Sequence, residues 1–105
     1  MGQESPKNLS TEASRLWEAI VSEYEIDDSI GLAILCRALE SFDRMREAQR
    51  AIQEHGVVFV DRFNQIRNNP ANAVERDSRA AFLASLKQLN VDVEIAPSKP
   101  GRPPG

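Results

Sequence analysis

The arginines of this chain are its most suggestive residues, and their spacing matters more than their number. Arg46 and Arg50 stand one helical turn apart with Gln49 and Gln53 beside them, so a helix carries both guanidinium groups on one face. Arg62 and Arg67 bracket the segment "RFNQIR", and Lys99 and Arg102 lie in "KPGRPPG". Cationic side chains grouped in this way suit phosphate, which makes these six residues the candidate contacts to a DNA backbone. A plainer reading stands beside it. Glu40, Asp43 and Glu47 share the helical segment and can pair with its arginines as a solvated mixed face. The tail has the look of a minor-groove arm but lacks an Arg-Gly-Arg-Pro core, and a solubilising tail fits it as well.

Catalytic groups are sparse. No glycine-rich loop ends in Gly-Lys-Ser/Thr, so intrinsic ATPase activity is not expected. The single histidine, His55, stands just before Gly56, where interaction with a helix C-terminal dipole suits it better than catalysis. The single cysteine, Cys36, sits in the most apolar stretch and reads as a packing thiol. One cysteine and one histidine form neither a disulfide nor a zinc cluster, and Glu23, Glu25, Asp27 and Asp28 lack the spacing of a calcium loop. We expect no catalytic residue, no metal and no cofactor.

Charge narrows the partners. The 105 residues are 41% hydrophobic and carry a net charge of -3, so any contact with nucleic acid must be local rather than a bulk positive coat. A domain of this size buries a modest core, and association with copies of itself is a natural way to bury more. The first ten residues contain no apolar run, and no later stretch reaches the roughly 20 apolar residues of a membrane span. A soluble protein of a reducing cytosol, without membrane contact, is the expectation.

These residues need elements to hold them. Residues 1–9 read as a loose polar arm. Ser10 caps a first helix in which Ala13, Leu16, Trp17, Ile20, Val21 and Tyr24 share one face. Asp27 or Asp28 caps a second helix running from about Ser29 to His55. Its start, "IGLAILCRAL", is apolar on nearly every side, which predicts neighbours all round; a narrower seam follows through Leu35, Ala38, Phe42, Met45 and Ile52. Trp17, Ile34, Leu35, Phe42, Met45 and Ile52 are the candidate core and oligomerisation residues. Gly56 ends the helix, with Val57 folding back on its last turn. A β-hairpin follows at about 57–67, turning at "DRFNQ", where Asn64 tolerates positive φ. A lone ribbon is marginal in water, so it must pack on the helices, pair with another chain or meet a ligand. Asn69 and Pro70 start a third helix that turns Val74, Ala81, Phe82, Leu86 and Leu89 inward, pairs Glu75 with Arg79 and stops at Asn90. Residues 91–105 read as a flexible Pro/Gly-rich tail, leaving 10–90 as a helical oligomerisation core. The fold class is mainly α: a long helical hairpin, a short β-hairpin and a third helix, assembling into a homo-oligomer.

Taken in order, "LSTEASRLWEAIVSEYEIDD", "LCRALESFDRMREAQRAIQEHG" and "VVFVDRFNQIRNNPANAVERDSRAAFLASLKQLNVD" resemble the small terminase subunit of tailed bacteriophages, in the branch with a short N-terminal arm and no separate helix-turn-helix domain. The resemblance covers nearly everything from Leu9 to Asp92. Trp17, Gly56, Asn69 and Pro70 stand at matching points, while Asn64 and Asn90 replace glycines common in that family. What the resemblance implies is a non-enzymatic ring in the cytoplasm of the bacterial host. Such a ring recognises viral double-stranded DNA and regulates a large terminase subunit holding the ATPase and nuclease. The competing expectation, favoured by the acidic net charge, is a helical interaction adaptor or small regulator with no DNA contact.

Overall fold

Two polar caps set the first turns of the chain. In the computed structural model, which describes residues 4–91, Ser10 Oγ accepts the Ala13 N–H at 3.0 Å and Asp28 accepts the Gly31 N–H at 2.8 Å. They open helices α1 (Thr11–Tyr24) and α2 (Ser29–His55). Gly31 is needed at the second cap, because a Cβ there would lie 2.8 Å from Asp28 Oδ1. Strands β1 (Val58–Val60) and β2 (Ile66–Asn68) then pair antiparallel, and α3 (Ala71–Gln88) completes the order.

The central helix is α2. Helix α1 runs back along its first two-thirds, bringing Glu12 beside Arg46, and α3 runs antiparallel to its second half, bringing the Phe82 ring 5.3 Å from that of Phe42. Between them lies one core containing Ala13, Trp17, Ile26, Leu35, Ala38, Leu39, Phe42, Met45, Phe82 and Leu86. Leu35, Leu39 and Leu86 are its largest fully buried side chains. Burying such a leucine contributes about 1.5–3 kcal/mol, so this cluster is the main source of stability in the chain.

Several expectations are corrected by packing. Residues 5–9 are not a loose arm: Leu9 is buried, Ser5 bonds Ser14, and Asn8 donates to Glu40. The reason is Asp43, which accepts both the backbone N–H and the hydroxyl of Ser10 and draws the preceding residues onto α2. Within the single chain the start of α2 is covered on part of its surface, with Ile30 exposed and Ile34, like Ile52 further on, partly buried. Trp17, Leu35, Phe42 and Met45 are buried in the single chain. Along α3 the inward line is Ser78, Phe82 and Leu86; Val74 and Ala81 face out, Leu89 is half-buried, and Tyr24 lies at the exposed margin of α1. The strands lie within 58–68 rather than 57–67, and Val57 faces solvent instead of folding onto α2.

Three left-handed residues shape the connections. Glu25 (φ 50°) ends α1 and lets Ile26 turn into the core, its N–H reaching the Val21 carbonyl at 3.2 Å. Asn90 (φ 60°) ends α3 in the same way, and the Val91 N–H returns to the Leu86 carbonyl at 3.0 Å. Val91 is thereby buried and belongs to the core, not to the tail; the rest of the expected tail lies outside the described residues. The third, Asn64 (φ 62°), shapes the hairpin turn.

Candidate functional site

The hairpin is built from its turn. The Asn64 N–H returns to the Asp61 carbonyl at 2.9 Å and the Asp61 N–H reaches the Gln65 carbonyl at 2.9 Å, a three-residue loop whose last residue takes the left-handed position that glycine often fills. The Asp61 carboxylate closes it from inside, accepting the N–H groups of Phe63 (2.8 Å) and Gln65 (3.0 Å) and the Nε of Arg67 (2.9 Å). These donors, the Gln65 N–H foremost and then Arg67, hold its pKa below the usual carboxylate range.

At its base the hairpin is tied to both neighbouring helices by two asparagines. Asn69, itself buried, donates from Nδ2 to the Gly56 carbonyl at 2.8 Å while its Oδ1 accepts the Ala71 N–H at 2.9 Å. Asn72 donates to the Val57 carbonyl at 2.9 Å. Gly56 (φ 88°) takes the backbone conformation this crossing requires.

The candidate cations fall into two groups. Arg46 is engaged, with Nε 3.2 Å from Glu12 and a terminal nitrogen 2.7 Å from Gln49; Arg67 is engaged by Asp61 and Gln65. Arg50 is exposed on α2, and Arg62 stacks over the Phe63 ring at 5.3 Å; among the described residues no carboxylate lies within ion-pair distance of either. Lys99 and Arg102 lie outside the described residues. The expected pairing of the α2 arginines with Glu40, Asp43 and Glu47 is largely replaced. Asp43 holds Ser10, Glu40 holds Asn8, and both line a small polar recess with Arg44 and Glu47.

The remaining reactive side chains are quiet. Burial pushes the Cys36 thiol above its usual pKa, and the Glu40 carboxylate 3.7 Å away opposes the thiolate further. His55 is exposed at the end of α2 with Glu54 3.6 Å away. Among the described residues there is no cluster of three His, Cys, Asp or Glu that could hold a metal, and no helix is long and apolar enough to cross a membrane.

A feature that reading the sequence left open is where the apolar hairpin residues point. Val57, Val58, Phe59, Val60, Phe63 and Ile66 are all exposed. The hairpin therefore does not pack its valines on the helices, the first of the three arrangements a short ribbon can adopt. The run Val57–Val60 signals a covered strand, yet all four residues are exposed. No family model matches this chain, and no curated protein or solved structure is significantly similar to it.

Proposed function

We propose that this chain is a small terminase subunit of a tailed phage or prophage. In this reading it works as a ring-like homo-oligomer in the bacterial cytoplasm, recognising viral DNA and regulating a large ATPase/nuclease subunit. The observation that carries the reading is the projecting hairpin with an uncovered apolar surface, in the order helix, long helix, hairpin, Asn-Pro, helix. A surface of that kind calls for a partner, and copies of the same chain supply one.

DNA contact follows from repetition. One subunit of net charge -3 binds a duplex poorly, whereas a basic position repeated around an oligomer sums several weak phosphate contacts. Arg50 is the best placed for this role, since its guanidinium is exposed and holds no carboxylate among the described residues. Arg46 and Arg67 would first have to release Glu12 and Asp61. Catalysis is left to the large subunit.

The second reading, a helical adaptor without DNA contact, draws on that same engagement of Arg46 and Arg67. Light scattering coupled to size exclusion separates the first step: the terminase reading requires a mass several times 11.7 kDa. Duplex titration over a salt series separates the second. Arg50→Ala in an intact oligomer should weaken binding to all duplexes and flatten the salt dependence. An oligomer that binds no duplex at any salt, and leaves the ATPase rate of the large subunit unchanged, belongs to the adaptor reading.

A further inference from the structure

Both strands of the hairpin are exposed, and one face gathers most of its aliphatic side chains. Its ladder bonds run through Val57 with Asn69 and Asp61 with Gln65, so by strand alternation Val58, Val60 and Ile66 share the opposite face with Asn68. Their relative exposures are 50%, 60% and 75%. Beside this face stands Arg62, and the hairpin as a whole carries Arg62 and Arg67 against Asp61.

A complementary surface lies at the other end of α2, about 40 Å away for 27 residues at 1.5 Å each. There Ile30 is 68% exposed, with Ala33 exposed and Ile34 half-buried one turn further on. Glu23, Glu25, Asp27 and Asp28, all exposed, surround this corner, and no lysine or arginine occurs between Arg15 and Arg37. The rival apolar surface is the outer face of α3, where Val74 and Leu83 are exposed. That face carries Arg76 and Arg79, paired with Asp77 and Glu75, and Lys87, so it offers a cationic hairpin no acidic surplus of the kind the Ile30 corner has. Pairing hairpin on hairpin has the same fault, because it gathers the arginines of two copies.

We propose that the hairpin of one copy docks through Val58, Val60 and Ile66 on the Ile30 corner of a second copy, with Arg62 facing the acidic rim. The inference rests on the oligomeric reading above and specifies its interface. Because the two patches are different and lie at opposite ends of one helix, the contact is heterologous. Each copy offers its hairpin to one neighbour and its corner to the other. Such a contact closes into a ring or runs on as a filament, and it does not stop at a symmetric dimer. It also commits Arg62 to the interface and leaves Arg50 for phosphate.

Mixing two blocked variants tests this. Val60→Asp and Ile30→Asp alter exposed side chains, and the far-UV circular dichroism spectra at low temperature should match that of the parent chain. Each variant alone should run as a monomer by light scattering, since each lacks one half of the contact. A 1:1 mixture retains one good hairpin and one good corner, so it should form a dimer of about twice 11.7 kDa and nothing larger. Arg62→Glu and Asp27→Arg should each lower the parent mass, and the double variant should restore it. A parent chain that is monomeric at micromolar concentration overturns the oligomeric reading itself. An oligomeric parent whose Ile30→Asp variant keeps its mass, or whose blocked variants stay monomeric when mixed, overturns this interface alone.

Discussion

In the helical half of the molecule Leu35, Leu39 and Leu86 are sealed from water, and the polar groups sit outside them. In the hairpin the order is reversed: Val58, Val60 and Ile66 face water, while the chain is held by polar bonds at its turn and its base. Two regions of one small chain thus obtain their order by different means. The helices bury apolar surface within the chain, which is sufficient for a fold. The hairpin is shaped by Asp61 and Asn69 and leaves its apolar side chains exposed. Disturbing each type of bond separately should make the difference measurable.

The largest effect is expected in the core. Leu86→Ala removes a fully buried side chain from the contact of α3 with the rest of the core, and should cost about 2–5 kcal/mol in chemical denaturation. Val60→Ala, on the exposed hairpin face, should change monomer stability by no more than about 0.5 kcal/mol. A similar cost for both would mean that the hairpin is part of the core after all.

Next comes the hairpin base. Asn69→Ala deletes the cap on the Ala71 N–H and the donor to the Gly56 carbonyl in a buried setting, and should cost about 1–2 kcal/mol. Amide exchange should accelerate across Val58–Asn68 more than across α2. Uniform acceleration would show that the hairpin and helices unfold as one unit.

Local rules made much of this legible. Ser10 and Asp28 as caps, Asn64 and Asn90 in left-handed conformations, and Glu75 with Arg79 all depend on residues within a few positions of one another. Glu25 in the left-handed region was not legible, because its own side chain does not favour it; the burial of Ile26 requires it. Ser78 on the buried line of α3 was also hidden, since composition suggests Val74 and Ala81 instead. Within the candidate site, the arginine spacing was visible but the partners were not. Glu12 lies 34 residues from Arg46, and only the antiparallel return of α1 brings them together.

The turn should respond to pH in a way the core does not. The pKa of Asp61 is lowered in the folded hairpin, so its contribution is complete above the ordinary carboxylate value of about 4 and is lost as the pH falls through the folded value. A carboxyl titration by NMR should give Asp61 a midpoint below that of an unstructured peptide, with the Phe63 and Gln65 amide signals moving at the same midpoint. Asp61→Asn keeps an acceptor for the turn and should abolish that shared titration, whereas Asp61→Ala should open the turn at every pH.

The smallest effect is expected where a polar bond of the same chemical kind lies on the helical half. Arg79 donates to both oxygens of Glu75 at 3.0 and 3.1 Å, and Gln49 on α2 adds a third bond at 3.3 Å, an arrangement as well formed as that of Asp61. The Arg79 hydrogen bond, first among its causes, lowers the Glu75 pKa, yet the arginine is more than half exposed, so water and salt replace most of what the pair supplies. Glu75→Gln should therefore cost no more than about 0.5 kcal/mol, and less as ionic strength rises. The contrast with Asn69 lies in what is left behind. Removing the Asn69 amide strands a carbonyl and an N–H near the buried base of the hairpin, whereas removing the Glu75 charge leaves Arg79 free to hydrate. If Glu75→Gln costs as much as Asn69→Ala, polar bonds hold α3 on α2 as firmly as they hold the hairpin, and the division between the two regions fails.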